Sequence, residues 1–123
     1  GLKRYQEPAR PREIAAAAKA RDMALMGIRA VQAGALTGSL DRELAADHPE
    51  TLDYQRAAPF REVAKEAGES PASLAHRYAL TMEGIATVVL GVKNRSELQE
   101  CVDAEAKGRL DPARIDQAVA GAR

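Results

Sequence analysis

Ile85-Ala86-Thr87-Val88-Val89-Leu90 runs without a charge, is rich in β-branched side chains, and stops at Gly91. Apolarity on both faces is the pattern of a strand buried in a parallel sheet. Gly91-Val92-Lys93-Asn94 then predicts a tight turn. Asn94 is an N-cap for a helix from Arg95 to about Ala106, with Glu97 three residues on as a capping-box partner. Gly108 stops that helix, and Asp111-Pro112 opens a last short one with Ile115 and Val119 inward.

Upstream, Ser70-Pro71 is an N-cap followed by proline in the first turn, which predicts a helix ending near Gly84. Leu74, Tyr78 and Met82 share one face of it. Before it, Phe60, Val63, Ala64 and Ala67 mark a helix over Pro59 to Ala67, stopped by Gly68. Arg12 to Met26 is built of strong helix formers, with Pro11 ahead of it and Gly27 as its C′ stop. Ile28, Ala30 and Gln32 alternate with Arg29, Val31 and Ala33, which predicts a strand between Gly27 and Gly34. Gly34 to Asp53 reads as a long loop, a length that is often functional. Residues 1–11 read as an extended lead-in, and 12–123 as the structured part.

Strands alternating with helices define an α/β unit with a parallel pair and a right-handed crossover. Two parallel strands alone leave both edges open, so this order predicts a slice of a larger α/β protein. The core is expected to be thin. The chain has 123 residues, of which 26 are Ala and only 26 more are Leu, Ile, Val, Met or Phe. Burying Ala contributes little, because stabilisation follows apolar area at roughly 25 cal/mol per Å².

Eighteen basic and eighteen acidic residues balance to a formal charge of zero. That argues against a nucleic-acid module. The Ile85–Val92 run is far shorter than the ~20 residues that span a bilayer, and no secretory signal opens the chain. The single cysteine, Cys101, allows no internal disulfide and suits a reducing compartment, so a cytoplasmic location is expected.

The turn after the second strand carries the best chemical signal. A helix start offers free N–H groups and a positive dipole end, and Lys93 adds charge, so the turn can hold a phosphate. Every βα turn shares these features, and the alternative is a plain turn with a solvated lysine. His48 reads as a loop residue and His76 as a helix-surface or half-buried one. Cys101 reads as an inert thiol inside a helix. No cluster has metal-ligand spacing, and no nucleophile, base and orienting group can be assembled.

Gly68-Glu69-Ser70-Pro71-Ala72-Ser73-Leu74-Ala75-His76-Arg77-Tyr78-Ala79-Leu80 resembles the aldo-keto reductase stretch G-x-[ST]-P-A-Q-L-A-L-x-[WY]-x-L. Thr87 to Cys101 resembles that family's last barrel strand and cofactor loop, V-I-x-G-[AS]-[SR]-N-x-x-Q-L-x-E-N. Gly34-Ala35-Leu36-Thr37-Gly38 resembles the loop after its seventh strand, and Leu110-Asp111-Pro112 the opening of its closing helix. The order and spacing of the four are what make the resemblance specific.

The resemblance implies the C-terminal part of a (β/α)8 TIM barrel, a fold of ~250 residues when complete. It implies carbonyl reduction with NADP(H) or NAD(H) and no metal. A hydride would pass from nicotinamide to a small carbonyl substrate, with a tyrosine as acid. The family's catalytic Asp, Tyr, Lys and His have no counterpart among these residues, so no catalytic residue is assigned. A partial dinucleotide site does carry over. Gln32, Ala33, Gly34 and Leu36 match the seventh-strand loop near nicotinamide and pyrophosphate. Gly91, Val92, Lys93 and Asn94 match the loop around the adenosine phosphate, and Glu97, Glu100 and Cys101 the adenine end. Three departures stand out. Val31 and Gln32 offer no aromatic ring for nicotinamide, and their loop is about two residues short. Glu97 stands where Gln or Arg is usual and opposes a 2′-phosphate. Cys101 replaces an Asn amide. The alternative reading is a non-catalytic barrel module that self-associates through its open strand edges or joins a partner chain.

Overall fold

The computed structural model describes residues 11–121, in the order helix, strand, 3-10 turn, three helices, strand, two helices. Strands β1 (Leu25–Ile28) and β2 (Ile85–Val89) pair in parallel. Met26 lies opposite Thr87, Gly27 opposite Val88 and Ile28 opposite Val89, with an irregularity between Leu25 and Met26. The chain is therefore a helix-rich α/β unit, and its parallel pair is as the alternation of elements requires.

The first helix is shorter than its composition predicts. Helix α1 spans Pro11–Lys19, not Arg12 to Met26. It ends in a Schellman-type closure: the Met23 and Asp22 amides bond the Ala18 and Lys19 carbonyls at 2.9 and 3.1 Å. Asp22, at φ 55°, fills the left-handed C′ role expected of Gly27. Leu25 then donates to the Gly84 carbonyl at 3.2 Å, so the chain is drawn into sheet pairing three residues after the turn. Gly27 sits inside the strand, and the strand predicted over 28–33 is displaced to 25–28.

The long connection contains a helix the sequence reading missed. Helix α2 (Pro49–Arg56) starts where His48 accepts a hydrogen bond from the Glu50 amide through Nδ1 at 3.2 Å. Proline at N1 and an acidic residue in the first turn complete an ordinary helix start. His48 is thus a cap and not a loop side chain. Helix α3 covers Ala58–Glu66 and α4 Pro71–Thr81, so α4 ends three residues before Gly84. Ser70 caps α4 as predicted, its Oγ accepting from the Ser73 amide at 3.0 Å. Helix α5 spans Arg95–Lys107 and α6 Pro112–Gly121. The expected inward placement of the Val119 side chain, and the lead-in apart from Pro11, lie outside the described residues.

The core gathers where α4 meets α3 and α6. Phe60, Ala64, Leu74, Ala75, Leu110 and Ala118 form it, with Val63, Tyr78 and Ile115 packed against its edge. Eight of the eleven buried hydrophobic residues described are alanines, so the core is as thin as the composition predicts. Helix α4 also contacts α5 and β2, and so joins the helical layer to the sheet. The expectation that β2 is buried on both faces does not hold. Ile85 and Val88 are half-buried, whereas Ala86, Thr87 and Val89 are exposed. The sheet has two strands among the described residues, so each has an open edge, and α4 covers only part of β2.

Candidate functional site

Parallel pairing sends the ends of β1 and β2 the same way, so the segments that follow them lie side by side. After β1, Arg29, Gln32 and Ala33 take left-handed backbone angles of 50–58° and Gly34 reaches 96°. This sequence of turns closes a short 3-10 turn over Gln32–Gly34. The Gly34 amide bonds the Val31 carbonyl at 3.0 Å, and the Leu36 amide bonds the same oxygen at 3.1 Å. Ala35 is buried and Leu36 packs against the core, which anchors the loop from beneath. Thr37 Oγ1 donates to the Gly34 carbonyl at 2.7 Å.

Three side chains pin the loop from outside. Arg61 donates to the carbonyls of Ala35 and Tyr54 at 3.2 and 2.7 Å, its guanidinium 3.9 Å over the Tyr54 ring. Tyr54 in turn donates to the Gly38 carbonyl at 2.8 Å. Arg42 donates to the Ala33 carbonyl at 3.2 Å and pairs with both Asp41 and Glu50. The Arg42 guanidinium holds the Glu50 carboxyl below the usual carboxylate range.

The loop after β2 runs through Gly91, Val92, Lys93 and Asn94, all exposed. Asn94 caps α5 by accepting the Glu97 amide hydrogen at 2.9 Å. Glu97 does not reach back to Asn94, as a capping box would have it. Its Oε2 accepts from the Lys93 amide at 2.8 Å, one residue earlier. The Lys93 ammonium forms an ion pair with Asp41 of the first loop. Through Asp41 and Arg42, the pair Lys93–Asn94 is thus linked to Ala33. Lys93 is not the merely solvated cation of a plain turn.

Glu100 lies one helical turn further on and accepts a hydrogen bond from Ser70. It lines a polar cleft of about 340 Å³ between the start of α4 and α5, together with Ser70, Ser96, Gln99 and Asp103. Cys101 is directed elsewhere. Its Sγ lies 3.4 Å from Nε2 of His76 on α4. Burial pushes the thiol up, helped by the charges of Glu100 and Glu97. His76 is buried, not on the helix surface, and burial lowers its pKa against the opposing pull of Glu100. A raised thiol beside a depressed imidazole is a neutral pair, not a thiolate nucleophile.

The predicted site residues therefore fall into two connected loops, a cleft and one buried contact. Gln32, Ala33 and Gly34 meet Lys93 and Asn94 through the Asp41–Arg42 bridge. Leu36 supports its loop from the core side. Glu97 and Glu100 lie along α5, and Cys101 turns to α4. Asp41, Ser70 and Ser96 were not among the predicted ligands. Asp41 lies 52 positions before Lys93, and no local pattern marks it as that lysine's partner. Among the described residues, no group of three or more His, Cys, Asp or Glu is placed to hold a metal. A cavity of about 750 Å³ lies at the other end of the strands, beside α1 and the segment leading into β2. It is lined mainly by Ala15, Ala16, Ala20, Tyr78 and Met82 and shares nothing with the loops.

The residues present fit the phosphate end of a dinucleotide. A Cβ at Gly91 would meet nothing within 4 Å, so the loop is open to solvent on that side. The first-turn amides of α5 have no partners within the helix. The chain is a helix-rich α/β unit whose parallel strands deliver a βα turn, a lysine and a braced loop to one end. The model of the aldo/keto reductase family matches residues 4–120, and the chain belongs to that family of oxidoreductases. No curated protein matches the chain.

Proposed function

We propose that this chain supplies the dinucleotide-binding loops of an NAD(P)H-dependent carbonyl reductase, as strands seven and eight of a (β/α)8 barrel with their helices. The observation that carries the proposal is the bridge Ala33–Arg42–Asp41–Lys93, which ties the two strand-end loops into one surface. The nicotinamide cofactor, when bound, donates hydride to the carbonyl carbon of a small substrate. The residues of this chain bind and orient. Gln32, Ala33 and Gly34 give a rigid edge for the nicotinamide and pyrophosphate. Gly91 to Asn94 and the α5 amides receive an adenosine phosphate. Glu97 and Glu100, with the cleft beside them, border the adenine end. Proton transfer to the substrate oxygen is assigned to no residue here, so the 123-residue chain alone reduces no carbonyl. A heat-labile, carbonyl-dependent loss of NADPH absorbance would contradict this.

The test of the site is a titration of the isotopically labelled chain with dinucleotide, followed by amide NMR shifts. Weak binding is expected, because this chain carries only part of the site. Shifts should cluster at residues 32–36, 91–97 and 100. Shifts confined to the apolar cavity beside α1, or none at millimolar ligand, would remove the reading. A second reading has its own support: Met26, Ile28 and Val89 of the open sheet are 70, 69 and 52% exposed. On that reading the chain is a non-catalytic module whose strand edges pair with another copy, and sedimentation shows a stable oligomer.

A further inference from the structure

We propose that the cavity beside α1 is a ligand site of its own, that it takes a medium-chain monocarboxylate, and that Arg12 receives the carboxylate. The site stands apart from the dinucleotide reading, because it shares no residue with the strand-end loops. Its volume of about 750 Å³ is that of a small-molecule pocket. Arg12, Ala15, Ala16, Lys19 and Ala20 line it from α1 and the turn that ends it, at the spacing of one helix face. That face carries methyl groups where a packed helix carries Leu or Phe. It therefore leaves space against Tyr78 of α4, Met82, and Ile115 of α6. The helix is seated beside the entry to β2. A Cβ on Gly84 would lie 3.7 Å from Ala15 Cβ, and Lys19 pairs with Glu83 at 2.5 Å. From Arg12 to Ala20 the groove runs about 12 Å, the rise of two helical turns, which suits an extended acyl chain of medium length.

The polar groups decide the occupant. At one end of the groove Arg12 is exposed and pairs with no carboxylate among the described residues. Its guanidinium matches a carboxylate with two parallel N–H donors. At the other end Glu83 cancels Lys19. The lining thus carries two positive charges and one negative, so it attracts an anion and repels a cation. Thr81 is committed: its Oγ1 donates to the Arg77 carbonyl at 2.6 Å and accepts from the Leu110 amide at 2.9 Å. The Tyr78 hydroxyl has no hydrogen-bond partner among the described residues and is left for water or a ligand. Residues 1–10 do not suit the groove by charge, since they carry Lys3, Arg4 and Arg10 against Glu7 alone.

The experiment is an amide and methyl NMR titration of the full 123-residue chain with octanoate, 1-octanol and octylamine, each below micelle formation. Octanoate should shift Arg12, Ala16, Ala20 and Tyr78 and bind about tenfold more tightly than 1-octanol, the scale of one charge-assisted contact near water. Octylamine should bind more weakly than either. Arg12→Gln, at an exposed position, should leave the circular dichroism unchanged and bring octanoate to within about twofold of 1-octanol. Ala16→Phe should fill the groove and remove binding of all three. Equal affinity for octanoate and 1-octanol in the wild-type chain overturns the proposal, as does an unchanged octanoate affinity in Arg12→Gln. Absence of shifts at the cavity also overturns it. Without ligand, Overhauser contacts from Leu2 or Tyr5 to the Ala16 methyl would assign the groove to the chain's own lead-in. Cavity resonances that move on dilution would assign it to a second copy. Either result overturns the proposal too.

Discussion

Two residues carry more than their surroundings suggest. Gly34 holds φ at 96°, where an L side chain is strained, and a Cβ there would lie 3.6 Å from Leu40 Cδ2. Gly34→Ala should therefore cost about 1–2 kcal/mol by chemical denaturation, chiefly through the backbone and not through contact. His76 is the second. It is 7% exposed, and its Nδ1 has no hydrogen-bond partner among the described residues. Burial lowers its pKa in the folded chain, so the unfolded chain binds the proton more readily. Its contribution to stability is complete above the unfolded imidazole value of ~6.5 and declines as pH falls from there toward the folded value. Denaturation midpoints should drop as pH falls below that unfolded value, and His76→Gln should flatten that dependence. A midpoint that rises with acid over this window would contradict the argument. The sequence around His76 shows only a histidine on a helix. It is buried where α5 packs on α4, and Cys101, 25 positions away, lies 3.4 Å from its ring.

At the scale of elements, capping was legible where the cap is one of the usual N-cap residue types. Ser70 and Asn94 were read from their residue types and spacing, and both accept the amide three residues on. Ser70→Ala and Asn94→Ala should each cost about 1 kcal/mol, measured by thermal or denaturant unfolding. Asn94→Ala should also loosen the Lys93–Glu97 bond and shift the Lys93 amide resonance, because the Asn94 side chain fixes the Glu97 amide. Helix α1 and strand β1 were misjudged for a reason of the same kind. Ala24, Leu25 and Met26 are good helix formers, and propensity extends α1 through them. The Ala18 carbonyl closing on Met23 and the parallel partner at Ile85 to Val89 override it. Helix α2 was missed because His48 is not a usual cap type, and Glu50 alone gave no apolar period to follow.

Over the whole molecule, the apolar residues are too few to bury the sheet. Leu74 is fully buried at the centre of an alanine-rich core, so Leu74→Ala should cost about 3 kcal/mol or more, a large share of a marginal stability. Unfolding of the variant in denaturant would show it as a lower midpoint. The open edges of β1 and β2 call for sedimentation of the purified chain with circular dichroism on the same sample. A folded assembly would give the interaction reading its footing. A folded monomer would show that six helices and a thin core hold the parallel pair without further cover. The sequence by itself determined the alternation of strands and helices, the parallel sense, the Ser70 and Asn94 caps and the family, because these reside in local periodicity, turn chemistry and motif order. Only the tertiary structure decided that Asp41 meets Lys93, that Cys101 turns from the cleft to His76, and that β2 stays half-bare. Those outcomes depend on packing between residues far apart in the chain, and no local spacing encodes which distant charge or ring comes within reach.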